Sequence, residues 1–256
     1  MKPRLTSRAA SLVSLLAIAL GLPLVHATPL QVTDIGLSGS FTAGSPEIIT
    51  GNATVTTLTT SEGTFSGLLG AVANNVTAVN NTPYSIGTAP TDSNAAASGL
   101  TVNDAVNNMN SGRFQFTGLT LNASTRFFVL ETTPTTTYGD PFTVTLINAS
   151  NVQVGSFTLS LLAANFTQTS LANVDYNTGT GTLTGGKLSG VSFSFTDLGV
   201  TDFGAIASVT GISINGGGLL DPSVVGAYSV IPEPGSFGVL AGLAAFAALV
   251  MRRRRS

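Results

Sequence analysis

Phe142-Thr143-Val144-Thr145-Leu146-Ile147 runs into Asn148-Ala149-Ser150-Asn151, and Val152-Gln153-Val154-Gly155-Ser156-Phe157-Thr158-Leu159-Ser160-Leu161 follows. Phe142, Val144 and Leu146 alternate with Thr143 and Thr145, which is the period of a strand with one buried face. Asn148 to Asn151 supply turn chemistry. Val152 and Val154 resume the alternation, and Phe157, Leu159 and Leu161 continue it in shifted phase. Gly155-Ser156 marks the shift and is a candidate bulge. The stretch therefore predicts an antiparallel hairpin over residues 142–161.

The same signals extend outward on both sides. Phe114 and Phe116 flank Gln115, and Val191, Phe193 and Phe195 alternate, as do Ile212 and Ile214. Phe127-Phe128-Val129-Leu130 is a continuous apolar run, as expected of a strand buried on both faces. Val55 to Thr59 and Phe65 to Leu69 are further candidate strands. The chain has 36 Thr, which favour strands, and 29 Gly, which serve turns. The nearest helical candidate, Ala95 to Met109, is Asn-rich and interrupted by Gly99. Asn74 to Gly99 reads as a surface loop. The fold expected is all-β: an antiparallel β-sandwich or jelly-roll-like exported domain over residues 28–215. Gly216-Gly217-Gly218 and Asp221-Pro222 then read as a linker over 216–230.

Charge is sparse and unevenly placed. Ten Lys and Arg stand against twelve Asp and Glu in 256 residues. Seven of the positives lie at the two ends: Lys2, Arg4, Arg8 and Arg252 to Arg255. Between them, Arg113, Arg126 and Lys187 face all twelve acids, leaving the interior at −9. That balance excludes a nucleic-acid partner, which needs a positive stripe. With no Cys, disulfides, thiolate metal sites and Cys nucleophiles are excluded as well.

Both ends read as targeting devices. Lys2, Arg4 and Arg8 precede an uncharged apolar run, Ala9 to Val25, and Val25-His26-Ala27 ends it in a small residue. Residues 1–27 are thus expected to be a secretory signal peptide cleaved after Ala27. At the other end, Pro232-Glu233-Pro234 abuts an apolar run from Ser236 to Met251, and Arg252-Arg253-Arg254-Arg255 follows directly. As a helix the run would span about 24 Å, slightly short of a bilayer core. The four arginines hold the C-terminus on the cytoplasmic side. Gly238 and Gly242 are spaced for close helix approach within that transmembrane helix.

This three-part C-terminus, residues 231–256, resembles the PEP-CTERM sorting signal. Proteins of that family are substrates of exosortase, a transpeptidase-like membrane enzyme of Gram-negative bacteria. The resemblance implies that Pro232, Glu233 and Pro234 are recognised and processed by an exosortase-type enzyme in the inner membrane. It also implies a final location at the cell surface or in the extracellular matrix, in company with exopolysaccharide. Tyr138 to Leu146 and Gly190 to Phe193 are similar to segments of surface proteins of this kind.

The body offers little chemistry of its own. His26 is the one His and lies in the signal peptide, so the mature domain lacks His-based acid–base work and Ser-His pairs. A two-carboxylate glycosidase needs paired acids. Glu47, Glu62, Asp104, Glu131, Asp140, Asp175, Asp197 and Asp202 form no recognisable motif. Calcium suits the oxygen donors better. Asp175 and Asn177 stand in one expected loop with Gly179 and Gly181, and Asp140, Asp197 and Asp202 are further loop oxygens. Sequons occur at Asn52, Asn75, Asn80, Asn122, Asn148 and Asn165, where a sugar coat would attach. Trp is absent and Tyr number four, which disfavours a sugar-stacking groove. The expectation is a non-enzymatic surface or matrix protein without a cofactor. A calcium-dependent or carbohydrate-binding adhesin is the alternative, and an enzyme comes last.

Overall fold

The computed structural model describes residues 28–42, 47–79, 83–85, 92–102, 104–133, 139–177 and 182–230. Its strands are β1 (Leu30–Gln31), β2 (Asp34–Thr42), β3 (Glu47–Thr60), β4 (Gly63–Phe65), β5 (Leu69–Gly70), β6 (Val72–Ala78), β7 (Tyr84–Ser85) and β8 (Asp104–Ala105). They continue with β9 (Met109–Gln115), β10 (Thr125–Thr133), β11 (Phe142–Asn148), β12 (Gln153–Leu161), β13 (Thr167–Asn177), β14 (Thr182–Ser194), β15 (Val209–Leu220) and β16 (Pro222–Ser229). A four-residue helix, α1 (Ser93–Ala96), precedes β8. The fold is all-β.

The strands form two sheets. The smaller has the order β12-β11-β15-β9-β6, and the main path of the larger is β2-β3-β13-β14-β10-β16-β5. Pairing is antiparallel except for β3 with β13, which run parallel over Glu47–Ile49. One apolar cluster joins the sheets, with Phe114, Val144, Leu146, Ile212 and Ile214 from the smaller and Phe127, Val129, Val191, Phe193 and Val225 from the larger. A second cluster lies on the opposite face of the larger sheet. There Phe128, Leu130, Leu188, Val224 and Tyr228 meet Ile49, Val55 and Leu58 of β3. Strand β10 thus sends alternate residues into two cores, as its uninterrupted apolar run requires. All four of Phe127 to Leu130 are fully buried.

The hairpin expected from Phe142 to Leu161 is present as β11 and β12, with Phe142 opposite Leu161 and Val144 opposite Leu159. Asn148 Oδ1 closes its turn, accepting the N–H groups of Ser150 and Val152 at 3.0 Å each. Its register breaks between Thr145 and Ile147. On the β12 side of the break Gly155 has φ of 65°, and the Phe157 ring folds over it.

Three sequence readings need correction. Residues 216–230 are not a linker. Strand β15 runs to Leu220, and β16 lies inside the larger sheet between β10 and β5. Gly217 and Gly218 have positive φ and make an excursion within β15, where the register shifts between Asn215 and Leu220. Gly226 is a strand residue whose missing side chain leaves room for the Phe128 ring. Second, Ala95 to Met109 is not a helix: α1 ends at Ala96, and strands β8 and β9 follow. Third, Asn74 to Gly99 contains part of β6 and α1. These cover each other, because Asn94 Oδ1 and Ser98 Oγ accept the N–H groups of Val76 and Ala73.

Candidate functional site

Two polar clusters interrupt the apolar interior, and β10 carries a member of each. At its start, Arg126 is 3% exposed. Its Nε and Nη2 meet Glu62 Oε2 and Oε1 at 2.9 and 2.8 Å, a two-pronged pair that ties the β3–β4 turn to the sheet. Nη1 stands 3.6 Å from Asp197 Oδ2, which also accepts the N–H and hydroxyl of Ser194. Burial raises the Asp197 carboxyl above its ordinary range, while the Ser194 bonds and the Arg126 charge pull it down. Next to this network Tyr228 OH and Ser192 Oγ share a hydrogen bond of 2.8 Å. Phe65 stacks on the Tyr228 ring with centroids 4.7 Å apart. Burial pushes the Tyr228 phenol up to about 12.

At the other end of the run, Glu131 is fully buried on the face shared by the two sheets. Its Oε2 accepts the N–H of Asp140 at 3.0 Å and its Oε1 the N–H of Asp221 at 3.3 Å. Each of these aspartates precedes a proline, Pro141 before β11 and Pro222 at the start of β16. A residue before proline is held extended, so its N–H cannot close a helical turn and seeks another acceptor. One carboxyl serves both. Burial drives Glu131 well above the carboxylate range, and the Asp140 charge and side-chain hydrogen bond add to the rise. Asp221 is raised to about 7, chiefly by burial, although the Asn108 N–H bonds its Oδ1 at 2.6 Å.

Of the residues expected to bind calcium, Asp140, Asp197 and Asp202 lie in separate places. Asp140 belongs to the Glu131 cluster and Asp197 to the Arg126 cluster. Asp202 lies in an exposed turn where its Oδ1 accepts the Gly204 N–H at 2.8 Å. Asp175 and Asn177 are strand residues of β13, not loop residues, with Asn177 opposite Thr182. Residues 178–181 and the side chains of Asp175 and Asn177 lie outside the described residues. Among the described residues no group of three or more His, Cys, Asp or Glu is arranged to hold a metal. Pro232, Glu233, Pro234 and Arg252 to Arg255 also lie outside them. Within the described residues no helix is long and apolar enough to cross a membrane.

Of the sequon asparagines, Asn122, Asn148 and Asn165 use their side-chain oxygens to close turns. Asn52 and Asn75 are exposed. An open depression of about 200 Å³ borders Leu69, Leu119, Thr125 and Tyr228. It is smaller than the roughly 300–1,000 Å³ of small-molecule sites. Arg126 and Asp221 were not among the candidates read from the sequence. A signal existed for Arg126, which directly precedes the run of four large apolar residues on this strand.

No protein-family model, no curated protein and no solved structure matches this chain.

Proposed function

We propose that this chain is an exported, non-enzymatic surface or extracellular-matrix protein that an exosortase-type enzyme sorts through its C-terminus. The observation that carries the reading is the order Pro232-Glu233-Pro234, uncharged apolar run, Arg252 to Arg255 within the last 25 residues. A single out-to-in span with its arginines in the cytoplasm places the tripeptide at the outer face of the inner membrane. Residues 1–27 act as the export signal, and the sandwich or jelly-roll body is the cargo.

The body suits a passive role in a hydrated layer. Its polar surface is built from Thr, Asn and Gly, and three of its few charges, Arg126, Glu131 and Asp197, are drawn inward. Exposed Asn52 and Asn75 are the sequons best placed to carry sugar. Exopolysaccharide is the partner the surface would meet. Fractionation tests the sorting step. Glu233→Ala with Pro232→Ala should hold the protein in the inner membrane, whereas the unaltered chain reaches the surface fraction. Equal distribution of both forms would overturn the reading.

A further inference from the structure

The Gly139-Asp140-Pro141 segment is held more tightly than a loop between two sheets requires. Gly139 has φ of 136°, and the Phe166 ring lies where a side chain would project. The Asp140 N–H is fixed on Glu131 Oε2 at 3.0 Å, which brings the two acids together. Pro141 is exposed while Glu131 is fully buried. Ser189 stands opposite Glu131 in the β10–β14 register, so both side chains project from one face. Its hydroxyl is also fully buried and has no hydrogen-bond partner. The cluster thus joins an aspartyl–prolyl bond, a buried acid and an unused hydroxyl.

We propose that the Asp140–Pro141 peptide bond is a self-cleavage site, in which Asp140 supplies the nucleophile and Glu131 the proton. An Asp140 carboxyl oxygen attacks the residue's own main-chain carbonyl carbon and closes a five-membered cyclic anhydride. The C–N bond breaks as the Glu131 proton passes to the proline nitrogen, the next main-chain nitrogen after the one Glu131 already holds. Proline leaves as a secondary amine, more basic than an ordinary amide leaving group and therefore easier to expel once protonated. Water then opens the anhydride, restoring the Asp140 side chain, freeing its α-carboxyl and returning a proton to Glu131. Ser189 Oγ, opposite Glu131 in the strand register, would hold that water. The held Asp140 N–H and the Phe166 ring over Gly139 narrow the search over loop conformers before attack. The event happens once per chain, so it adds processing, not turnover, and it is independent of how the C-terminus is sorted.

The ionisable group acting on Glu131 is the Asp140 carboxyl, whereas Asp221 meets it through its main-chain N–H. Lys187 stands on β14 two residues before Ser189. Cleavage should therefore proceed faster as the solution is made mildly acidic, while the fold persists.

The chain contains one other Asp-Pro bond, Asp221–Pro222, and Pro222 is buried in β16. That bond is an internal control. Purified full-length protein is incubated from neutral to mildly acidic pH, with and without urea, and fragments are read by intact mass and N-terminal sequencing under denaturing conditions. The expected result is one cut in the folded protein, giving a new N-terminus at Pro141. Asp140→Asn keeps the N–H on Glu131 and should abolish the cut. Glu131→Gln should slow it by about 100-fold or more. An uncut folded chain, cuts at both Asp-Pro bonds, or cleavage confined to urea would each overturn the proposal. So would an Asp140→Asn variant that is still cut.

Discussion

Glu131 Oε2 lies 3.0 Å from the main-chain nitrogen of Asp140, joining the end of β10 in one sheet to the start of β11 in the other. Through Oε1 the same carboxyl holds Asp221, where β15 passes into β16. A single buried acid therefore holds two of the crossings between the sheets.

Stability should fall as pH rises through this cluster. Glu131 and Asp221 bind a proton more tightly folded than unfolded, since both carboxyls are raised. The stability they contribute is complete below the unfolded carboxylate range, near about pH 4. For Asp221 it is lost as pH passes through about 7. The urea midpoint should drop across that window, and Asp221→Asn should flatten the drop. A midpoint that climbs with pH over the same window would contradict this.

Arg126→Met should be costly. It strands Glu62 and Asp197, the latter with no exposed side-chain surface, without their cation. Removing one member of a buried pair typically costs about 3–5 kcal/mol. Adding Glu62→Gln should recover part of the loss, because it removes the like charge that acts on buried Asp197. Urea melts of the single and double variants measure it, and additive losses would argue against coupling.

Gly226→Ala should destabilise the fold by about 1–3 kcal/mol, since the added methyl runs into the Phe128 ring and the core cannot absorb it freely. Gly217→Ala adds a methyl in open space. Its cost comes from the positive φ alone, about 1 kcal/mol. Thermal melts of the two variants should rank them in that order.

A chain ending at residue 230 should fold cooperatively, and one ending at residue 215 should not. The shorter chain loses β16, which lies between β10 and β5 and contributes Val224, Val225 and Tyr228 to the two cores. Near-ultraviolet circular dichroism and a urea transition separate the cases. A cooperative transition in the shorter chain would restore the linker reading.

Strand alternation made much of this fold legible. The 142–161 hairpin, its Gly155 bulge and the doubly buried Phe127 to Leu130 run all follow from local period and turn chemistry. The reading failed where glycine carried two meanings. Gly216 to Gly218 and Gly226 look like linker residues, yet they serve an excursion in β15 and a close approach of Phe128. Asp175 and Asn177 look like loop ligands because Gly179 and Gly181 follow, but β13 continues through them. The Glu131 cluster was not legible because its members are 9 and 90 residues apart, and only the sheet crossings bring them together.

The most direct test is the intact mass, with terminal peptides, of protein purified from its own cells. A C-terminus near Pro232 to Gly235, without the apolar run and Arg252 to Arg255, is the result expected of an exosortase-sorted protein. A full-length C-terminus ending at Ser256, in cells that actively express the sorting enzyme, would contradict it.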